Sequence, residues 1–447
     1  MSNPSQEEKA GGAAPAPGRT AVATLAGTTL EWYDFFLYGT AAALIFDKQF
    51  FPSLSPTAGT LAAFSTLAVG FVARPLGGLV FGHFGDRIGR KATLVVSLVM
   101  MGIGSTLIGA IPNYDSIGFW APVLLVLLRI VQGIGLGGEG AGATLMSMEH
   151  APEGKRNLYA GFPQMGTPAG LVLANMIFLV TNVLMGDHTF TSWGWRIPFL
   201  LSFVLVAVGL VIRLRVTESP SFNRVLEQDD VVTFPLAESF KVGFPRLGLT
   251  LLAVVANSAV AYVFMVFALS YGTKNLGYDR QFLILSVTAS AVLWFVTIPV
   301  WTKFADRHGR RVMFIGGSAA ILAWCAVFFP LYDTGNDVLA VVALAGMGLI
   351  IPVTHCVQGG IIADTFPAHV RYSGSSLILQ TGAILGGGLA PMISTVLLGD
   401  GGSSVGVTWY LVVMCAISLG GAIALFRVVP DGPADLAEPP AEAVSPV

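Results

Sequence analysis

Two carboxylates lie three residues apart in an apolar and aromatic stretch near the start of the chain. The stretch is LEWYDFFLYG, and its acids are Glu31 and Asp34. The surrounding apolar run, about 22–46, is long enough to cross a lipid bilayer. A charge at mid-membrane costs about 2.5–3.5 kcal/mol on insertion scales, so acids at this depth indicate a functional site or a partner of opposite charge.

The remaining ionisable residues well inside apolar runs are Arg74, Arg129, Glu139 and His355. At a rise of 1.5 Å per helical residue, Asp34 and Arg129 both lie ~18 Å from the side that holds the termini. Glu31 lies at ~14 Å, and Arg74 and Glu139 at ~12 Å. Three acids therefore meet two bases. A buried carboxylate without a base takes up a proton readily, although a plain structural brace, in particular between Arg74 and Glu139, is the alternative.

The composition explains why these residues lie in membrane helices. Hydrophobic residues make up 54% of the 447 residues and charged residues 11%, where soluble proteins carry about 25% charged residues. Such a chain needs lipid around it. The net charge of −2 gives no basic excess, so nucleic acid is not an expected partner. The three cysteines lie far apart in apolar runs, which argues against a disulfide framework or a metal cluster.

Apolar runs of about 20 residues recur along the chain and predict an all-α membrane protein, because only helices satisfy the backbone in such runs. The twelve predicted spans are 22–46, 57–81, 93–112, 121–147, 157–184, 195–214, 247–271, 281–302, 312–332, 338–363, 373–398 and 405–427. With this assignment 18 of the 24 Lys and Arg residues fall on the side of the termini and four on the other. Both termini are therefore predicted to be cytoplasmic.

The chain repeats itself at a half-length offset. GHFGDRIGRK (82–91) follows the second span and TKFADRHGRR (302–311) follows the eighth, 220 residues later. We predict two pseudo-symmetric six-helix bundles, 21–214 and 247–427, joined by a cytoplasmic linker, 215–246, with disordered tails at 1–20 and 428–447. Both motifs read as tight cytoplasmic turns whose charges latch the two bundles together. The predicted gating residues are Arg74, Asp86, Arg87, Arg90, Asp306, Arg307 and Arg310.

Weaker polar signals lie on later spans. Asn257 and Tyr271 are fourteen residues apart and would share one helical face. His355 and Gln358 lie three residues apart, and Gln380 is on the eleventh span. If they face a central cavity, they would suit a ligand rich in hydroxyl or carboxylate oxygens. Local packing with internal hydrogen bonds is the alternative for each of them.

The fourth span reads LRIVQGIGLGGEGAGA. Its glycines superficially resemble a phosphate loop, but neither a preceding strand nor a Walker lysine is present in the sequence. In a membrane helix such glycines let another helix approach closely. No motif for ATP hydrolysis occurs, so we expect no cofactor, and energy would come from an ion gradient or from the substrate gradient.

Several stretches resemble a known family. The GxxxDRxGR turn resembles the loop signature of the major facilitator superfamily, and LEWYDFFLYGTAAALIF, FVARPLGGLVFGHFGDRIGRK, LRIVQGIGLGGEGAGA, SWGWRIPFLLS and VRYSGSSL resemble its metabolite:proton symporters. FALSYGTKNLG and TLAAFSTLAVGF look most like the shikimate-transporter-like branch. The resemblance implies a central cavity lined mainly by spans 1, 4, 7 and 10, and import of a small organic acid or zwitterion with a proton.

These observations predict a proton-coupled symporter in a bacterial cell membrane, monomeric and not an enzyme. Its partners would be a small organic acid, a proton and the lipid bilayer. Alternatives are an importer of a zwitterionic osmolyte such as proline or betaine, an exporter or facilitator of the same superfamily, and, from another class, a membrane receptor or enzyme. We assign proton coupling to Asp34, Glu31 and Glu139. The residues assigned to substrate binding are Arg129, Gln132, Asn257, Tyr271, His355, Gln358 and Gln380.

Overall fold

The chain folds as a set of long helices. The computed structural model describes residues 17–88, 90–137, 142–149, 151–152, 155–215, 244–366, 371–399 and 402–428, and no strand occurs in these ranges. Most of the predicted linker and most of both predicted tails lie outside them, as does Glu139. The side chains of 82–94 are likewise outside the described part.

The first half of the chain contains ten helices and one short π-helical turn in its described part. The helices are α1 (Pro17–Leu44), α2 (Phe46–Phe50), α3 (Pro56–Ile88), α4 (Arg90–Ala110), α5 (Tyr114–Ile117), α6 (Trp120–Gly137), α7 (Gly142–Glu149), α8 (Arg156–Met185), α9 (Asp187–Thr189) and α10 (Arg196–Arg215), with the π-turn at Phe190–Gly194. Among them α1 packs on α8, α3 on α6, and α4 on both α6 and α10.

The second half contains eight described helices and two π-helical segments. The helices are α11 (Phe244–Tyr262), α12 (Ala268–Lys274), α13 (Arg280–His308), α14 (Arg310–Tyr332), α15 (Asp337–Asp364), α16 (Arg371–Gly382), α17 (Leu389–Leu398) and α18 (Val405–Val428), with π-segments at Val263–Phe267 and Ala383–Gly388. Here α13 packs on α15, α11 on α18, and α14 on both α15 and α18. The halves meet where α8 contacts α13 and α15, and where α3 contacts the second π-segment.

Nine of the described helical segments are long and apolar enough to cross a membrane, and a tenth is added if the bent pair Asp187–Gly194 and Arg196–Val211 counts as one span. The ranges of the first and third predicted spans are also helical, as α1 and α4, but they are not among these nine. In α1 the charges of Glu31 and Asp34 lower the mean hydropathy, and in α4 the apolar stretch Val95–Ala110 is shorter than the nine spans.

The second repeated motif forms a tight turn between two helix ends, as the sequence predicts, and the first motif likewise lies where one helix ends and the next begins. Helix α3 continues through the first motif to Ile88, and α4 begins at Arg90. Helix α13 continues to His308, and only Gly309 separates it from α14. Gly309 has φ of 87°, a left-handed conformation that glycine adopts without steric cost. The chain therefore reverses between two long helices within a single residue.

The glycines of the fourth span bring two helices close together, as predicted. A Cβ atom on Gly133 would overlap the carbonyl oxygen of Gly70 on α3, and a Cβ atom on Gly137 would overlap the carbonyl oxygen of Arg74. On the α3 side, Gly77 meets the carbonyl oxygen of Ile134 in the same way. Helices α3 and α6 thus pack backbone against backbone, which sets where their arginines enter the protein interior.

Candidate substrate and proton site

Asp34, on α1, is buried where α1 packs against α10. Its side chain is 3% exposed, and the Ser202 hydroxyl donates a hydrogen bond to its Oδ1 at 2.7 Å. The Ser105 hydroxyl on α4 also interacts with this carboxylate. The neighbouring Tyr33 donates to the carbonyl oxygen of Pro198 at 2.7 Å, which fixes α1 against the start of α10. Asp34 is therefore a buried acid held by neutral hydroxyl groups.

Arg129 on α6 is completely buried but does not pair with Asp34. The two side chains, predicted to lie at the same depth, interact electrostatically, yet no salt bridge joins them. Arg129 instead donates from Nη1 to Oε1 of Gln132 at 3.1 Å, and Gln132 donates from Nε2 to Ser105 at 2.6 Å. The predicted equal depth does not decide the partners of the two residues. Hydroxyl groups on α10 and α4 lie nearer to Asp34, and Gln132 on α6 itself lies nearer to Arg129. Gln132 therefore contacts Arg129.

The space for Arg129 comes from a glycine on the facing helix. A Cβ atom on Gly70 would overlap the Nε atom of Arg129 and lie 2.8 Å from its Cζ. Gly104 plays the same part for Gln132, because a Cβ atom there would lie 2.6 Å from the Gln132 Cγ. The absence of a side chain at Gly70 and at Gly104 thus makes room for Arg129 and Gln132.

Two arginines flank one aromatic ring at the centre of this half. The guanidinium Cζ of Arg74 lies 4.1 Å from the ring centroid of Phe35, and that of Arg129 lies 4.2 Å from it. Arg74 also lies 4.6 Å from the ring of Phe71, and Arg129 lies 4.1 Å from that of Tyr38. We expected Arg74 at a gate. The structure places it, 5% exposed, beside Arg129 in the interior.

Both arginines retain donors for a ligand. Nε and Nη2 of Arg74 and of Arg129 are buried and have no hydrogen-bond partner among the described residues. Two cations in one buried cluster repel each other, and each buried charge is stabilised by an anion. The Tyr262 hydroxyl, which interacts with both arginines, also has no partner in the described part of the chain. An anion with hydrogen-bond acceptors would satisfy this set of donors.

Glu31 lies one turn below Asp34, as its spacing predicts. It is partly exposed and interacts electrostatically with Arg74 and Tyr262. Its level with Arg74 therefore agrees with the depth estimate. Whether Glu139 braces Arg74 is a question that falls outside the described residues.

Aromatic side chains join the two halves next to this cluster. Tyr262, at the end of α11, stacks on Phe36 with ring centroids 5.8 Å apart and meets Phe71 edge-on at 5.2 Å. Tyr262 belongs to the second half, whereas both phenylalanines belong to the first. The arginine cluster is thus covered, on this side, by a residue of the other half.

The second half contains a neutral polar network. Asn257 donates from Nδ2 to Oε1 of Gln358 at 2.5 Å, and the same nitrogen lies 3.5 Å from Nδ1 of His355. The Thr354 hydroxyl donates to Asn257 Oδ1 at 3.0 Å. The His355 ring meets Trp294 edge-on at 5.1 Å, and its Nε2 has no partner among the described residues. Three predicted residues therefore do come together.

Tyr271 and Gln380 do not join this network. Fourteen helical residues place Tyr271 about 21 Å along the helix from Asn257, and the π-helical segment Val263–Phe267 interrupts the helix between them. Tyr271 instead donates to Asp333 Oδ1 at 3.0 Å, near the end of α14. Gln380 is buried on α16 but forms no hydrogen bond with the network within the described ranges.

Ion pairs join the halves at the end of the bundle where α1 and α12 finish. Lys274 donates to Asp47 Oδ2 at 2.7 Å and to the Thr60 hydroxyl at 2.9 Å. Nearby, Arg280 lies 3.7 Å from Asp187 in a more exposed pair. These contacts join the two halves at this end.

Polar contacts also join the halves at the opposite end. Asn157 of α8 donates to Asp306 Oδ1 at 2.7 Å and accepts from Arg310 Nε, and Arg310 also pairs with Asp364. Two predicted latch residues thus touch the other half. Arg307 is exposed, and the side chains of the remaining latch residues, in 82–94, lie outside the described part.

Several of these contacts were missed by sequence reasoning. Ser105 and Ser202 are short polar residues within apolar helices, a signal too common to single them out. Thr354 precedes His355 directly and could have been included with it. Asn157 follows a basic loop, and its side chain amide is what connects both charged residues of the second motif.

The fold and the site define a class. Paired helical halves with buried charges at their centre, closed by contacts at both ends, are the architecture of a membrane transporter. The chain matches the model of the sugar (and other) transporter family over residues 19–232 and 235–430, and it belongs to this family of the major facilitator superfamily. It is a multi-pass membrane protein, and its relatives are transporters and not enzymes.

The most informative relatives are bacterial. An inner membrane metabolite transport protein of Escherichia coli is 41% identical over 405 residues, covering 89% of this chain and 91% of the relative. The shikimate transporter of Escherichia coli is 39% identical over 407 residues, covering 90% and 92%. The proline/betaine transporter of the same organism is 33% identical over 408 residues, covering 88% and 80%. A crystal structure of a D-xylose-proton symporter superposes with a TM-score of 0.69 at 17% identity, covering 93% and 98%.

Proposed function

We propose that this protein imports a small organic acid together with a proton by alternating access. The observation that carries the proposal is the pair of buried guanidinium groups on either side of Phe35, each with unpartnered N–H donors, next to the buried acid Asp34. Arg129 and Arg74 would bind the substrate carboxylate. Asp34 would take the proton, with Glu31 and Glu139 as further candidates.

The substrate class is a small hydroxylated, aromatic or dicarboxylic acid of the shikimate type. The 39% identity to a shikimate transporter supports this choice. The amide and hydroxyl groups of Asn257, Gln358 and Thr354 could bind substrate hydroxyl groups once the halves separate from their present contacts. His355 would then offer its free Nε2 to the same ligand.

The transport cycle would use both sets of end contacts as gates. With twelve spans and both termini in the cytoplasm, as the Lys and Arg distribution predicts, the Asp47–Lys274 pair faces outward and the Asn157–Arg310 contact faces the cytoplasm. Opening to the outside would break the Asp47–Lys274 pair, and opening to the inside would break the Asn157–Arg310 contact. Asp86, Arg87 and Arg90 would form the equivalent inner latch in the first half.

The decisive test is uptake of shikimate into proteoliposomes with an imposed pH gradient. One proton moving with a monoanion gives about tenfold accumulation per pH unit and no response to voltage. A zwitterion such as betaine, for which the 33% identical proline/betaine transporter is the precedent, would also draw on voltage, ~2.3 kcal/mol per 100 mV. Uptake indifferent to the pH gradient would point to a facilitator and would refute symport.

A further inference from the structure

A series of buried polar contacts, two of them hydrogen bonds, connects the proposed proton site with the proposed substrate site. Asp34 lies beside the Ser105 hydroxyl, Ser105 accepts from Gln132 Nε2 at 2.6 Å, and Gln132 Oε1 accepts from Arg129 Nη1 at 3.1 Å. Every member is buried. Among the described residues, Gln132 is the hydrogen-bond partner of Arg129, whose other two guanidinium nitrogens have none. The substrate arginine is therefore held through its contact with the proton site.

The direction of each bond follows from the charge on Asp34. An ionised carboxylate only accepts, so the Ser105 hydroxyl must donate to it, and the Ser105 lone pairs then accept from Gln132. With its NH₂ group turned to Ser105, the amide of Gln132 presents its oxygen to Arg129. Ionised Asp34 thus keeps one N–H group of Arg129 occupied, although no ion pair joins the two residues.

Protonation reverses the chain. A neutral Asp34 can donate its O–H to Ser105, and the Ser105 proton then turns to Gln132. To accept the Ser105 proton, the Gln132 amide must turn its oxygen toward Ser105 by rotating about the Cγ–Cδ bond. Its NH₂ group then faces an N–H group of Arg129, and because both groups are donors the hydrogen bond is lost. One proton is added at Asp34 and none is released elsewhere. The rotation is about the bond between Cγ and the amide carbon, so the amide group alone turns while Cγ keeps its place against Gly104.

We propose that Ser105 and Gln132 are positioning residues that couple protonation of Asp34 to release of Arg129 for the substrate carboxylate. This inference rests on the proposed function and assigns Gln132 a role other than substrate contact. All members lie on α1, α4 and α6 of one half, so the chain stays intact while the halves move relative to each other. Proton uptake would therefore precede anion binding in either orientation of the cavity.

The test measures the Kd of purified protein for shikimate at pH 6 and pH 8. The wild type should bind at least tenfold more tightly at pH 6. S105A and Q132M break the chain, and we expect their Kd values at the two pH values to agree within about twofold. S105T keeps a hydroxyl group and should restore the tenfold difference.

The matched control is S202A, which removes the other hydroxyl group beside Asp34 but does not touch Gln132. In S202A the pH at which the Kd changes should shift. The total change in Kd between low and high pH should stay that of the wild type. A full pH dependence in both S105A and Q132M, with D34N pH-independent, would overturn the inference and leave the proposed function standing. A wild type whose shikimate binding ignores pH would overturn both.

Discussion

The interiors of the two halves carry different chemistry. The first half places charged groups at its centre, with Arg74 and Arg129 around Phe35 and Asp34 nearby. The second half places neutral amide, hydroxyl and imidazole groups there, with Asn257 at their centre. A duplicated architecture has thus been given two tasks. In the proposed function, charge recognition and proton uptake would belong to the first half, and the second would adjust selectivity without disturbing the energetics of the buried charges.

The largest effect should come from Asp34→Asn. The amide still accepts from Ser202 but cannot exchange a proton, so uphill accumulation of shikimate should fall from about tenfold per pH unit to none. Exchange of internal for external shikimate should persist, since it needs no net proton movement. Proteoliposome uptake with and without a pH gradient measures both.

The control is Asp333→Asn, which changes a carboxylate of the second half that accepts from Tyr271 and Ser404. Its accumulation ratio should equal that of the wild type. Equal loss in both variants would mean that the charged chemistry is not confined to the first half.

Arg129→Lys should have the next largest effect. Lysine keeps the charge but loses the planar fork that matches a carboxylate. Hydrogen bonds to charged groups contribute about 1.5–3 kcal/mol, so the KM for shikimate should rise about 10- to 100-fold. Initial uptake rates over a concentration series give the KM. The exposed Arg311→Lys serves as the control, and an unchanged KM in Arg129→Lys would remove Arg129 from the substrate site.

Gly70→Ala tests the same arginine without changing it. The new methyl group would overlap Arg129 Nε, which forces the guanidinium aside or the helices apart. Overpacking of this kind costs about 1–3 kcal/mol, and we expect a lower Tm and a KM raised about tenfold. In Gly316→Ala, on α14 of the second half, the methyl group meets no atom within 4 Å. That variant should keep its KM and its Tm.

The smallest effect should come from the second half. Thr354→Val keeps the shape of the side chain but removes the hydroxyl group that donates to Asn257. A neutral hydrogen bond contributes about 0.5–1.5 kcal/mol, so the KM for a hydroxylated acid should rise about 2- to 10-fold. The accumulation ratio should not change. Thr297→Val removes a hydroxyl that bonds only its own helix backbone, and a similar KM rise there would contradict the assignment.

Sequence reasoning predicted the helical membrane fold and most members of the two polar clusters. Long apolar runs permit few structures, because each backbone polar group must find its partner within its own helix. The glycines of α6 were correctly interpreted as a close helix contact. The prediction failed for Tyr271: the π-segment Val263–Phe267 interrupts the helix between Asn257 and Tyr271, and Tyr271 contacts Asp333 instead.

The sequence by itself determined which residues had to be explained. Charges inside apolar runs are costly whatever the fold, so Asp34, Arg74 and Arg129 were identifiable from their positions alone. Only the tertiary structure decided their partners, because depth along a helix says nothing about its rotation or about which neighbour faces it. That rotation placed Ser202 and Ser105 beside Asp34 and brought two arginines to the ring of Phe35. It also placed Gln132 where it contacts both Ser105 and Arg129.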